Sequence, residues 1–191
     1  MIGNDIVDIP YSRQFSDWKR PGYLEKLFTC KERLQIKEST CSERMVWRLW
    51  SMKESAYKAA FRNSKERVFN PGKFICTTSD EVGGKVHFKD RVFHTHSSIN
   101  GSSIHSVAWE EGGDPSRLSS VLKKFDTKLS SADLYQYLLK KVAVISNCKM
   151  KDLTLKKTLN GIPEIFNKGE KVDVLCSLSH HGDFGAILIY H

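Results

Sequence analysis

The chain repeats one pattern, a helix followed by short strands, and this constrains its fold more than any other feature. Residues 42 to 62 are the strongest helical segment, with Glu43 in the first turn and apolar residues at 46, 47, 49 and 50. Asn70-Pro71-Gly72 stops that helix. Strand signals follow at 74–77, 85–88, 91–96 and 104–109, separated by Gly-Gly, Lys-Asp and Asn-Gly turns. Gly112-Gly113-Asp114-Pro115 reads as a linker. Beyond it a helix over 132–146, with Leu134, Leu138, Leu139 and Val142 on one face, again leads into strands at 153–156, 172–179 and 184–190. The expected class is α+β, with two similar pseudo-twofold lobes, each a helix packed on a small antiparallel sheet. The first lobe is residues 1–112 and the second 113–191. Their closing strand–turn–strand units match in pattern more than in identity, as an internal duplication would leave them.

Ahead of the first helix, residues 2–9 read as a short strand ended by Pro10. A helical pattern covers 24–37, and Thr29 and Glu32 have capping-box spacing, so a helix starts or restarts there.

Composition narrows the function classes. Hydrophobic residues make up 40%, enough for a real core. No apolar run approaches the roughly 18 residues of a membrane span. Met1-Ile2-Gly3-Asn4-Asp5 has neither a basic nor an apolar leader region. The five cysteines are odd in number and lack C-x-x-C spacing, which argues against a disulfide framework or a zinc site and for a reduced, cytoplasmic protein. The net charge of +8, from 30 Lys+Arg against 22 Asp+Glu, favours anionic partners. It is spread along the chain without the clustered basic and aromatic face of a nucleic-acid binder, so neither a nucleic acid nor a membrane is expected as a partner.

The chemistry concentrates on the first helix. Trp47, Trp50, Glu54, Lys58 and Phe61 fall at steps of three and four and share a face. The Glu54–Lys58 pair is either a routine i,i+4 pair on a solvated surface or a functional pair held among aromatics. Lys53 adds a second cation nearby. Asp5 sits in a strand otherwise made of Ile2, Ile6 and Val7, where a buried carboxylate must be paired or metal-bound; strand-end solvation is the alternative. Together Asp5 and Glu54 would offer two hard oxygens to Mg²⁺. His94 and His96 alternate on one strand without an evident third ligand.

In combination, G-N-D-I-V-D, W-S-M-K-E-S-A-Y-K, N-G-I-P and S-L-S-H resemble the motifs of the 4′-phosphopantetheinyl transferase superfamily, over nearly the whole chain. The resemblance implies transfer of the 4′-phosphopantetheine arm of coenzyme A to a serine of an acyl or peptidyl carrier protein, with Mg²⁺ and release of 3′,5′-ADP. It implies Asp5 and Glu54 as metal ligands, and Glu54 and Lys58 as the catalytic pair. Lys58 would meet the coenzyme A phosphates, Ser179 and His180 would hold the 3′-phosphate, and Lys53, Gly161 and Pro163 would line the cofactor site. A degenerate relative that binds without turnover is the alternative.

The sequence also departs from the pattern. Val7 stands where the two-lobed branch has a second acid, Ile162 where the family has lysine, and Gln136 where the two-lobed branch has a phosphate-binding arginine. Lys123 or Lys124 is the expected compensation. The motif order, with G-N-D first and S-L-S-H last, resembles a circular permutation of the two-lobed enzyme or a fusion of two small subunits. Either would bring the chain ends, and with them Asp5 and His180, to one site.

Overall fold

The computed structural model describes residues 1–62, 64, 68–125 and 131–191. Strand β1 (Ile2–Asp8) opens the chain and is buried on both faces, Asp5 being its most exposed residue. Pro10 does end this strand, by starting a helix. Asp8 caps α1 (Ile9–Phe15), its carboxylate accepting the Tyr11 N–H at 3.0 Å, and the missing N–H of Pro10 falls where no helical bond is needed. The segment 24–37 is two helices, α2 (Tyr23–Leu27) and α3 (Cys30–Glu38). They break at Thr29, whose capping box with Glu32 is fully formed.

Helix α4 (Ser42–Ala60) follows, then β2 (Ile75–Thr78), β3 (Gly83–Phe88), β4 (Arg91–Ile99) and β5 (Ser103–Glu110). Beyond the crossing come β6 (Leu118–Lys124), α5 (Ser131–Ile145), β7 (Leu153–Lys157), β8 (Pro163–Asn167), β9 (Glu170–Lys171), β10 (Leu175–His181) and β11 (Phe184–Tyr190). β6 and β8 have weak sequence signals. No residue of β6 is fully buried, so its residues need no strict apolar alternation.

The first sheet has the order β1-β5-β4-β3-β2 and the second β10-β11-β6, both antiparallel. In each lobe the opening strand pairs with the last strand, which pairs with the strand before it: β1-β5-β4 is repeated as β6-β11-β10. One long helix packs on each sheet, α4 against β1 and β5, α5 against β11 and β7. The fold is therefore the two-lobed α+β architecture expected from the sequence. A small third sheet, β7-β8-β9, extends the second lobe.

Val46, Leu49, Met52, Ala56 and Ala59 of α4 are fully buried against Val86, Phe93, Ile104 and Ala108. In the second lobe Leu134, Leu138 and Val142 of α5 pack on Ile165, Cys176, Ile187 and Ile189. Two further clusters join the lobes: Ile2, Val107 and Leu188, and Ile6, Phe184 and Ala186. At about 25 cal/mol per Å² of apolar surface removed from water, such a seam couples the lobes energetically. Among the described residues no helix is long and apolar enough to cross a membrane.

Candidate active site

The site begins with a close approach of strand to helix. A Cβ on Gly3 would stand 2.2 Å from the Ser55 carbonyl oxygen and 2.7 Å from the Ala59 nitrogen, so only glycine lets β1 lie this tightly on α4. The approach brings the Lys58 ammonium to the Asn4 carbonyl at 2.8 Å and to Asp5 Oδ1 at 3.0 Å. Glu54 lies one helical turn before Lys58. Burial, and then the charge of Asp5, raise the Glu54 pKa to about 7 against the opposing pull of Lys58. Two carboxylates thus sense each other beside one ammonium at the mouth of a seam.

That seam is the contact of β1 with β10. β1 is an edge strand, and two of its outward N–H groups are satisfied by side chains of β10. Ser177 Oγ accepts the Asn4 N–H at 3.1 Å, and His181 Nδ1 accepts the Asp8 N–H at 3.0 Å. Both contacts advance four residues in the same sense, so the strands run alongside in the same direction. The Asn4 side-chain amide donates to Ser179 Oγ at 3.2 Å and meets His105 Nε2 at 3.3 Å. Burial, then the Lys58 charge, push His105 down to about 4, so the ring is neutral. The Asp8 carboxylate closes the far end by accepting the Asp183 N–H at 3.0 Å.

A cavity of about 250 Å³ opens beside the seam. The end of α4 supplies Tyr57, Lys58, Phe61 and Arg62; α5 supplies Leu134 and Tyr135; Lys157 and the Gly161–Pro163 turn close one wall, and His180 of β10 another. Gly161 adopts a left-handed φ of 71° that permits this tight turn, which is held by its own N–H on Thr158 O at 2.8 Å. Lys58, Arg62, Lys157 and His180 line the cavity, and no carboxylate is among its described lining residues. Aromatic walls with cations at the rim suit a ligand that is part ring and part polyanion.

Of the residues singled out from the sequence, the structure brings Lys58, Gly161, Pro163 and His180 into one cavity, and places Asp5 and Glu54 beside Lys58 at its edge. It does not bring Lys53 there. Successive helical residues point about 100° apart, so Lys53 faces the core while Glu54 faces the seam. The Lys53 ammonium is wholly buried, bonded to Glu32 at 2.8 Å and to the Pro71 carbonyl at 3.0 Å. Ser179 is also turned away from the cavity. β10 alternates, so Ser179 and His181 face β1 whereas Cys176, Leu178 and His180 face the cavity; Ser177 bonds β1 and also lines the cavity. Lys123 and Lys124 lie elsewhere, over the rings of Phe125, Tyr137 and Phe184. The chain ends are not at the site either. Met1 bonds Glu110, and the His191 N–H bonds Arg117, both beside the crossing between lobes, at the opposite end of β1 and β10 from Asp8 and His181. Arg62 and Lys157 were not foreseen. Arg62 is four residues beyond Lys58 and so shares its face, a signal the sequence carried. Lys157 reaches the cavity only through strand pairing.

An α+β protein with a strand carboxylate, a helical glutamate and lysine, and a cationic cavity between lobes has groups that can meet a phosphate-bearing ligand. Residues 1–110 match the family model described as the 4′-phosphopantetheinyl transferase superfamily, and the chain belongs to that superfamily, whose general activity is phosphopantetheinyl transfer. Solved structures resemble it loosely. The holo-[acyl-carrier-protein] synthase of Helicobacter pylori, in complex with coenzyme A, is 15% identical, with 58% of this chain and 100% of that one covered at a TM-score of 0.46. The acyl carrier protein synthase of Mycobacterium tuberculosis is 21% identical over 58% and 95%, at 0.42. The holo-[acyl-carrier-protein] synthase of Thermotoga maritima is 10% identical over 89% and 83%, at 0.46. No curated protein matches the chain.

Proposed function

We propose that this protein is a holo-[acyl-carrier-protein] synthase-type enzyme, which transfers the phosphopantetheine arm of coenzyme A to the serine of an acyl or peptidyl carrier protein and releases 3′,5′-ADP. The observation that carries this reading is the cavity lined by Lys58, Arg62, Lys157 and His180, opening beside Asp5 and Glu54. Coenzyme A matches it: an aromatic base for Tyr57, Phe61 and Tyr135, and phosphates for the cations.

Asp5 and Glu54 fit Mg²⁺, since both are hard oxygen donors on neighbouring elements, and burial and then the Asp5 charge disfavour an ionised Glu54 in the absence of a bound cation. When bound there, Mg²⁺ supplies Lewis-acid and orienting chemistry to phosphate oxygens. Lys58, fixed by the Asn4 carbonyl and Asp5, holds positive charge where the 5′-phosphate of the leaving 3′,5′-ADP gains negative charge as the diphosphate bridge breaks. Glu54, beside the cavity, would take the proton of the attacking carrier serine. His180 binds the cofactor from the opposite lobe. The net charge of +8 suits both an anionic cofactor and an acidic carrier surface.

The test is mass spectrometry of candidate carriers after incubation with the protein, coenzyme A and Mg²⁺. A gain equal to phosphopantetheine on the carrier serine is expected. Coenzyme A binding without such a gain on any carrier in a broad panel would favour the non-catalytic relative.

A further inference from the structure

We propose that the N-terminal end of α4 is a second anion site, in which Arg48, Arg44 and the first backbone N–H groups of the helix hold the carboxylate or phosphate head of a small organic ligand. The site is separate from the cavity beside the seam, because Lys58 stands about 15 Å beyond Arg48 along the helix.

A cavity of about 270 Å³ lies between this end of α4 and the β2–β3 turn. Ser39, Arg44 and Arg48 form its polar wall, and Met45, Val82 and Ile99 its apolar one. Arg48 is the residue that points to a ligand. It is 3% exposed, yet among the described residues it makes one hydrogen bond, from Nη2 to the Gly83 carbonyl at 2.8 Å, and its buried Nε has no partner. Neither Arg48 nor Arg44 is in an ion pair among the described residues. Burial pulls the Arg48 pKa below its ordinary value, against the opposing charge of Asp80, but a guanidinium remains a cation. A buried cation in this state is costly unless an anion comes to it.

The helix end supplies further donors. The N-cap residue Cys41 makes no side-chain bond, and the first helical bond runs from the Met45 N–H to the Cys41 carbonyl at 3.1 Å. The N–H groups of Ser42, Glu43 and Arg44 therefore precede the ladder and carry the positive end of a 19-residue helix. Arg44 is exposed one turn before Arg48, on the same face. Nearby acids are engaged elsewhere: Glu43 pairs with Arg13 at 2.6 Å, and Asp80 accepts the Val82 and Gly83 N–H groups. Glu81, which is exposed, is the one carboxylate among the described lining residues. A guanidinium fork beside helix N–H groups fits the oxygens of one anionic head, and the apolar wall takes a short apolar body.

The experiment is an amide chemical-shift titration of the protein with inorganic phosphate and, separately, with butyrate, against sodium chloride at equal ionic strength. Saturable shifts of the Ser42, Glu43 and Arg44 amides are expected with at least one of the two anions. Phosphate alone assigns a phosphate head, butyrate alone a carboxylate, and both a general oxyanion site. Arg44→Gln and Arg48→Lys should each weaken that binding about 10-fold or more, the scale of a hydrogen bond to a charged group. Arg44 is exposed, so Arg44→Gln decides the matter even where Arg48→Lys fails to fold. No saturable shift at these amides, a shift that chloride reproduces, or binding equally tight in a folded arginine variant overturns the proposal. Carrier modification by the wild type is read separately, since Glu54 and Lys58 lie towards the other end of α4.

Discussion

At the scale of single residues, Asp5 and Glu54 are the two whose removal should be most costly and least structural. Neither is in an apolar cluster, and both face the seam. Asp5→Ala and Glu54→Ala are each expected to lower Mg²⁺-dependent transfer by about 10²-fold or more while leaving the thermal midpoint nearly unchanged. Steady-state assays and thermal melts check this, and activity within a few-fold of wild type would remove the metal-ligand role. His105 gives a pH signature. Its folded pKa, about 4, lies below the ordinary 6.5, so the unfolded chain takes up the proton first. Its stabilisation is fully present above pH 6.5 and is lost as pH falls through about 4. His105→Gln should therefore flatten the stability curve over that window, by about 3 kcal/mol at most. Chemical denaturation at stepped pH measures it, and an unchanged slope would mean that the ring is not buried neutral. In the metal-free protein Glu54 acts in the opposite sense: its contribution is present below pH 4.5 and is lost as pH rises through about 7.

At the scale of elements, helix α4 is anchored on one side by an ion pair and on the other by a glycine. Glu32 of α3 accepts the Lys53 ammonium, the Thr29 N–H at 2.7 Å and, through its other oxygen, the Cys76 N–H at 2.7 Å, tying α3, α4 and β2 together. Lys53→Met leaves the Glu32 charge buried without its cation, a loss of about 3–5 kcal/mol. Because Lys53 does not reach the cavity, KM for coenzyme A should stay near the wild-type value in the folded fraction. A large rise in KM without a fall in stability would return Lys53 to the cofactor site. On the other side, Gly3→Ala must push β1 off α4, since the added carbon would lie 2.2 Å from Ser55 O. It should lower both stability, by on the order of 2 kcal/mol, and activity, because Lys58 then loses its reach to Asp5. A variant as stable and active as wild type would show that this approach is dispensable.

At the scale of the whole molecule, the apolar seam of Ile2, Ile6, Val107, Phe184, Ala186 and Leu188 should make the lobes unfold as one unit. The distribution of tryptophan allows a clean test. Trp18, Trp47, Trp50 and Trp109 all lie in the first lobe, so fluorescence reports on that lobe while far-ultraviolet circular dichroism reports on both. Coincident denaturation midpoints are expected. Separated midpoints would show that the seam is too weak to couple the lobes and that the cavity between them is not preformed.

Much of this arrangement was legible because it is governed by local rules. The i,i+3/i,i+4 spacing put Glu54 and Lys58 on one face, and the Thr29–Glu32 pair announced its capping box. The same rules say only that neighbours on a helix or strand point apart, and not which of them faces the site. Lys53 and Glu54 are adjacent, yet one meets α3 and the other β1; Ser179 and His180 are adjacent, yet one meets Asn4 and the other the cavity. Those outcomes depend on what packs against each face. Lys157 is the extreme case, reaching the cavity only because β7 pairs with β8 and Tyr135 of α5 stands opposite. The sequence by itself determined the main helices and most strands, the repeat and the chemical groups available. The tertiary structure alone decided which of those groups share one cavity, because burial of the two apolar faces, and not the position of any charge, sets how the lobes meet.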